Sequence, residues 1–169
     1  MNRKSMLLFI TTVVTGLIAG LFYCWSISVT RGLALLPDRE YLSTFQQLNR
    51  AILNPFFLIG FMGLVFLLPI TTWTHYQRPP SSAFWLLLSA TLLYLVGVIG
   101  ITMLGNVPMN EALDSFNIDA ATPAGITAKR LAFEAHWNFL NNIRTICCIA
   151  SFLLTLLAYS SGIIVFNEL

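Results

Sequence analysis

Charge is what this chain has least of. Nine basic and seven acidic residues make up 9% of its 169 positions, against about 25% in an ordinary soluble domain. With 57% hydrophobic residues and a mean hydropathy of +0.77, it cannot hide its apolar surface in a water-soluble core and belongs in a bilayer. The net charge of +2, without a basic run, offers nothing to nucleic acid. Histidine is scarce too: His75 and His136 fall at opposite membrane faces by span counting, about 30 Å apart, and cannot share one haem or copper within a single copy. Cys24, Cys147 and Cys148 all lie in apolar segments without a CxxC pair, which reads as packing rather than redox or metal chemistry. No carboxylate sits mid-span, which argues against a proton relay. HExxH, GxSxG and P-loop spacings are missing as well. The expectation is a protein that uses neither metal nor organic cofactor.

What the chain does have is long apolar runs. Residues 6–29, 54–74, 83–104 and 144–166 each meet the roughly 20 residues a spanning helix needs. They predict a single all-α domain over 1–169, an integral membrane four-helix bundle. Arg3 and Lys4 before the first run look like the start of a signal peptide, but the run is long enough to span and is read as a retained anchor. Gly16 and Gly20 stand at small-xxx-small spacing in the first run, and Gly60, Gly63, Gly97 and Gly100 look like further points of close helix approach.

The connections carry structure of their own. After Pro37-Asp38, Leu42, Phe45, Leu48 and Ile52 recur at helical spacing opposite Gln46, Gln47, Asn49 and Arg50, predicting an amphipathic helix at the membrane surface. Pro79-Pro80 confines the second connection to a short turn. In the third, Gly105 and Asn106 are expected to end the span and Asn110 to cap a short helix. Thr122-Pro123 should start a long helix running directly into the fourth span. Arg3, Lys4 and Arg78 lie on the terminal side, with Glu168 the one acid against them, and six basic residues on the other side are offset by six acids across long connections. Weighted toward short loops, this favours both termini in the cytoplasm and a cell-membrane location.

Four spans bring the unusual polar side chains to one face. Asn49, Asn106, Asn110 and Glu111 approach it, as do His136, Trp137, Asn141 and Arg144. Trp137, Asn141, Thr145 and Cys148 share one helical stripe. Plainer roles exist for each: capping for Asn106 and Asn110, an aromatic-belt anchor for Trp137, and for Arg144 a snorkelling cation or a partner of Glu111 or Glu134.

Four pieces of sequence then carry a resemblance: Gly20-Leu-Phe-Tyr with Ser26; Phe45-Gln-Gln-Leu-Asn49-Arg50 before Asn54-Pro55; Thr102-x3-Asn106-Val-Pro108-x-Asn110; and Trp137-x3-Asn141-x2-Arg144-Thr145. In this order and spacing they resemble the small four-helix membrane proteins that include the anthrone oxygenases. The resemblance implies conversion of an anthrone to an anthraquinone with molecular oxygen, without metal or flavin. On that basis His136 and Glu111 are the candidate bases, and Asn106, Asn110, Asn141 and Arg144 the candidates to hold a phenolate or enolate oxygen.

Two functional expectations follow. In one, Asn49, Asn106, Asn110, Trp137, Asn141 and Arg144 line a pocket that binds or oxidises a hydrophobic aromatic or quinone-like molecule. In the other the chain is a non-enzymatic membrane module, packing on a second copy or a partner subunit, and its polar cluster only locks the helices.

Overall fold

A computed structural model describes residues 2–167. They form five helices: α1 (Arg3–Ala34), α2 (Asp38–Ile52), α3 (Pro55–Thr74), α4 (Ser82–Asp114) and α5 (Pro123–Asn167), with no strand among the described residues. Glu168, used above in sorting charges, lies outside them.

Local sequence sets where the helices begin. Asn54 accepts a hydrogen bond from the Phe57 amide at 3.1 Å with Pro55 in the first turn of α3, and Ser81 accepts from Phe84 at 3.3 Å at the start of α4. Thr122 accepts from Gly125 at 3.2 Å ahead of α5. Each occupies an otherwise orphaned amide of a first turn. The expected Thr122-Pro123 start and the uninterrupted run into the fourth span are both observed.

Four helices, α1, α3, α4 and α5, are apolar and long enough to cross a membrane, so the chain is an integral membrane protein. They pack as a ring in the order α1, α3, α4, α5. Their lengths differ, and the difference organises the molecule. The 20 residues of α3 rise about 30 Å, one hydrocarbon thickness. The 32 residues of α1 and 33 of α4 rise nearly 20 Å further, and α5 overshoots as well. Beyond the point where α3 stops, α2 takes the fourth place.

Two cores result. Inside the spans, Ile18, Phe22, Phe61, Leu64, Tyr94 and Val98 pack together, and Tyr94 donates to the Phe61 carbonyl at 2.8 Å. Above them, Tyr41, Leu42 and Phe45 of α2 pack against Leu113 of α4 and against Phe133 and Trp137 of α5. The amphipathic helix is present, and its apolar face rests on protein: Leu42 and Phe45 are fully buried. Its polar edge is tied down as well. Gln46 donates to the carbonyls of Leu113 and Phe116 at 2.8 and 3.0 Å, occupying acceptors left by the end of α4, and Arg50 pairs with Asp114 at 2.6 Å. On the opposite edge Arg130 reaches Glu134 at 2.7 Å, Asp38 at 3.0 Å and the carbonyls of Ala34 and Leu36, with its guanidinium over the Tyr41 ring.

The expected end of the third span at Gly105-Asn106 is not observed. Asn106 has helical dihedrals (φ −66°, ψ −39°) and no capping hydrogen bond, and α4 runs on to Asp114. What substitutes for a break is a change of winding: Leu93–Gly100 and Thr102–Asn106 are π-helical. The wider turns loosen the hydrogen-bond ladder just before Pro108, which has no N–H to give and would crowd a regular α-turn. Of the close-approach glycines, Gly97 fits the expectation: a Cβ there would lie 2.5 Å from Cys147 Sγ. Gly16 faces Phe152 in the same way, whereas Gly20 and Gly63 face open space, so the Gly16/Gly20 pair is not a shared packing face.

Candidate functional site

The early end of α3 leaves a gap beneath α2. Around it stand the α2–α3 joint at Leu53-Asn54, a third π-helical stretch at Trp25–Val29 of α1, the Thr102–Asn106 stretch of α4, and the middle of α5. π-Helical turns shift every later side chain around the helix axis relative to an α-helix, and often occur where a site needs it. Here they turn Trp25 and Ser26 of α1, and Thr102 of α4, toward α5.

The gap is a cavity of about 140 Å³. Phe22, Trp25, Phe45, Phe57 and Phe61 supply much of its apolar wall, and Asn49, Thr102, Asn110, Trp137, Asn141 and Arg144 its polar groups. An engineered cavity of about 150 Å³ holds one benzene. The enclosed space is therefore that of one aromatic ring. Trp25 and Trp137 lie 6.2 Å apart, centroid to centroid, and Phe45 stands edge-on to Trp137 at 4.8 Å, so the upper wall is a braced aromatic cluster.

Arg144 is the only charged residue in that wall, and it is 7% exposed. It donates to Thr102 Oγ1 at 3.1 Å and to Asn141 Oδ1 at 2.8 Å, and its guanidinium lies 4.7 Å from the Phe22 ring centroid. All these partners are neutral. No carboxylate pairs with it among the described residues, and its Nε has no protein partner. Charged groups at this depth are costly and normally paired; this one is held by hydrogen bonds and the faces of Phe22 and Trp137.

The remaining polar groups hold Arg144 in place. The Asn141 amide donates to Ser26 Oγ at 2.9 Å, and Ser26 Oγ lies 2.9 Å from Thr145 Oγ1. Thr145 in turn reaches the Asn141 carbonyl at 2.8 Å and the Phe22 carbonyl at 3.3 Å. Asn141 thus spends its oxygen on Arg144 and its nitrogen on α1. Across the cavity, Trp137 donates its indole N–H to Asn110 Oδ1 at 2.7 Å.

Of the residues expected from sequence, Asn49, Asn110, Trp137, Asn141 and Arg144 come together in the wall. Asn106 is fully buried on α4 outside the cavity wall, with neither amide atom partnered by protein. His136 and Glu111 are exposed, and neither belongs to the wall. Trp137 is 3% exposed and is a core residue rather than an anchor in the aromatic belt. Arg144 pairs with neither Glu111 nor Glu134; Glu134 is taken by Arg130. Ser26 and Thr102 belong to the motifs quoted above, yet their part in holding Arg144 was not foreseen. Trp25 and Phe45 were missed as wall residues: Trp25 is one aromatic in an apolar run, and Phe45 was read only as part of the apolar face of a surface helix.

Residues 43–154 match the family model described as anthrone oxygenase. No curated protein and no solved structure matches the chain. The matched region runs from α2 into α5 and contributes every polar group of the cavity wall except the Trp25 indole N–H; α1 adds Leu21, Phe22 and Trp25. With two thirds of its length matched and four helices fit to cross a membrane, the chain belongs to the anthrone oxygenase family.

Proposed function

We propose that the cavity binds a hydrophobic aromatic molecule through an ionisable oxygen and hands the resulting anion to molecular oxygen. The observation that carries this reading is Arg144, a buried cation without a carboxylate, lining an otherwise largely apolar cavity. A unit charge about 4 Å from a bound oxyanion is worth ~4 kcal/mol at an effective dielectric of 20. That lowers the pKa of a phenol or enol, near 10 in water, by ~3 units. The ligand then ionises near neutral pH without a strong base in the wall. We assign no proton-abstracting role to His136 or Glu111, which lie exposed.

An enolate so formed is electron-rich at the ring carbon across from its oxygen. Oxygen adds there, making a C–O bond; the peroxide anion takes back the proton released on ionisation, and the hydroperoxide loses water to leave a second ketone. The sum is CH2 plus O2 giving C=O plus H2O. Asn141 keeps the guanidinium turned to the ligand oxygen, Asn110 and Asn49 are placed to donate to it, and the aromatic wall keeps bulk water out. We place the cavity on the face opposite the termini, with both termini cytoplasmic, because Arg3, Lys4 and Arg78 flank the spans at the other end.

Anthrone offered to detergent-purified protein tests this. Expected are quenching of Trp25 and Trp137 fluorescence under nitrogen, and oxygen uptake with one O2 consumed per quinone formed. Arg144→Met should lower the rate at least 100-fold. A rate equal to that of heat-denatured protein would sink the reading. The alternative, a structural membrane module, is favoured by one observation, the complete use of the Asn141 amide inside the helix network. It predicts no quenching by any aromatic ligand.

A further inference from the structure

The cavity wall is not closed on all sides. Four of its residues are also substantially exposed: Leu53 (60%), Leu58 (38%) and Met62 (37%) at the α2–α3 joint and on α3, and Met103 (43%) on α4. Leu58 and Met62 are four apart and share one face of α3, and Met103 stands across from them. Lower down, α3 and α4 are joined, with Tyr94 donating to the Phe61 carbonyl and α3 packed on Ser82–Leu92. Above that joint α3 makes no comparable approach to Thr102–Asn106. The opening therefore lies between two spanning helices, within the first two turns of α3, and all four residues at its rim are apolar.

The geometry points to a ligand that enters from the bilayer and leaves an apolar tail in the opening between α3 and α4 while its ring occupies the cavity. This rests on the aromatic-binding reading above and narrows its ligand class. The enclosed volume suits one ring, so the rest of a larger ligand must lie outside it. The rim offers no hydrogen-bonding side chain for a polar substituent and faces the level of the lipid chains. A single-ring phenol with an alkyl or isoprenoid chain and an unsubstituted carbon across from its hydroxyl satisfies both conditions: oxygen toward Arg144, ring among Phe22, Trp25 and Phe57, and chain past Leu58 and Met103 into lipid. A fused polycycle with polar groups at its far end satisfies only the first.

The test uses the full chain in phosphatidylcholine nanodiscs and two probes, phenol bearing a decyl chain at the 3-position and phenol bearing a methyl group there. Affinity is read from quenching of Trp25 and Trp137 and expressed per ligand in the membrane, which removes the advantage of partitioning. The decyl compound should bind at least tenfold more tightly on that scale. Leu58→Phe and Met103→Phe, each placing bulk at the rim on a lipid-facing position, should cut that preference to below threefold. A decyl compound carrying a diazirine in mid-chain should crosslink to Leu53, Leu58, Met62 or Met103. Equal binding of both probes, unaffected by either rim variant, overturns the tail and leaves aromatic binding standing. Binding of neither probe overturns both. Labelling of the rim by a diazirine phospholipid that the decyl compound does not displace assigns the opening to a lipid chain and overturns the proposal.

Discussion

Arg144 and Asn141, three residues apart on α5, form the hydrogen bond on which the cavity depends: guanidinium Nη2 to amide oxygen at 2.8 Å, both side chains buried. The pair is asymmetric. Asn141 also holds α1 through Ser26, whereas Arg144 reaches only Thr102 beyond it. Removing either partner should have unequal consequences. Arg144→Met removes a buried, unpaired charge, which is often neutral or stabilising, but leaves the Asn141 oxygen without its donor; its melting temperature in detergent should fall less than that of Asn141→Leu while ligand quenching disappears. Asn141→Leu leaves the guanidinium short of an acceptor and frees Ser26, and should cost ~3 kcal/mol. A fall in stability for Arg144→Met as large as that for Asn141→Leu would make the cluster a structural lock.

Asn106 gives a second contrast. Its amide is fully buried and has no protein partner, and a buried amide without compensation costs about 1–3 kcal/mol. Asn106→Leu, with the same branching, should raise the melting temperature and leave ligand affinity within twofold. Lower stability in Asn106→Leu would show that the amide is engaged in an interaction the fold needs.

Trp137 ties the two long helices together through Asn110 at 2.7 Å. Trp137→Phe keeps a ring against Phe45 but removes the donor, leaving the Asn110 oxygen unmet. A loss of ~2 kcal/mol is expected, together with weaker aromatic binding, since Asn110 is then free to turn away from the wall. Thermal unfolding and fluorescence titration on the one variant read both effects.

At the extramembrane end, Asp38 accepts from Thr127 and from Arg130. These contacts, the Thr127 hydrogen bond foremost, hold its carboxyl below the ordinary carboxylate range. A depressed folded pKa means that the contribution is complete above the unfolded value of about 3.9 and is lost as pH falls through the lower folded one. Melting curves of the wild type and Asp38→Asn should therefore differ most above pH 4 and converge in stronger acid. Arg130→Met, which strands Asp38, Glu134 and two carbonyls together, should cost at least ~2 kcal/mol at pH 7. Curves for Asp38→Asn that stay parallel to the wild type down to pH 2.5 would remove Asp38 from the account.

Helix spacing within the spans can be probed at two glycines. Gly97→Ala puts a methyl group 2.5 Å from Cys147 Sγ, and α4 must move off α5, at a cost of about 1–3 kcal/mol. Gly63→Ala meets nothing within 4 Å and should gain up to ~1 kcal/mol from helix propensity. Opposite shifts in melting temperature are expected from the same chemical change.

The bundle was readable from sequence because its signals are local. Apolar length marks a span, and Asn54-Pro55 and Thr122-Pro123 mark helix starts, whatever the rest of the chain does. The stripe of Trp137, Asn141, Thr145 and Cys148 was readable for the same reason, since a straight α-helix keeps fourfold spacing on one face. Asn106 was misjudged because the two π-helical stretches before it leave no trace in composition, yet they carry the helix through a Gly-Asn pair that ordinarily ends one. The apolar face of α2 was ambiguous in another way: the same periodicity serves lipid or protein, and only the overshoot of α1, α4 and α5 decides for protein. His136 and Glu111 stood out as ionisable groups near the right level. Level alone does not give rotation about the helix axis, and both point away.

The short α3 has a wider consequence. Because the binding space is the room left over where one post of the frame stops early, its size is set by how soon α3 begins and how α2 is slung across the top, not by hollowing the packed interior. Lengthening or shortening the Leu53-Asn54 joint by a residue would resize the chamber while the packing contacts among the other three posts stay as they are. A frame of this kind can change its guest by altering its lintel alone.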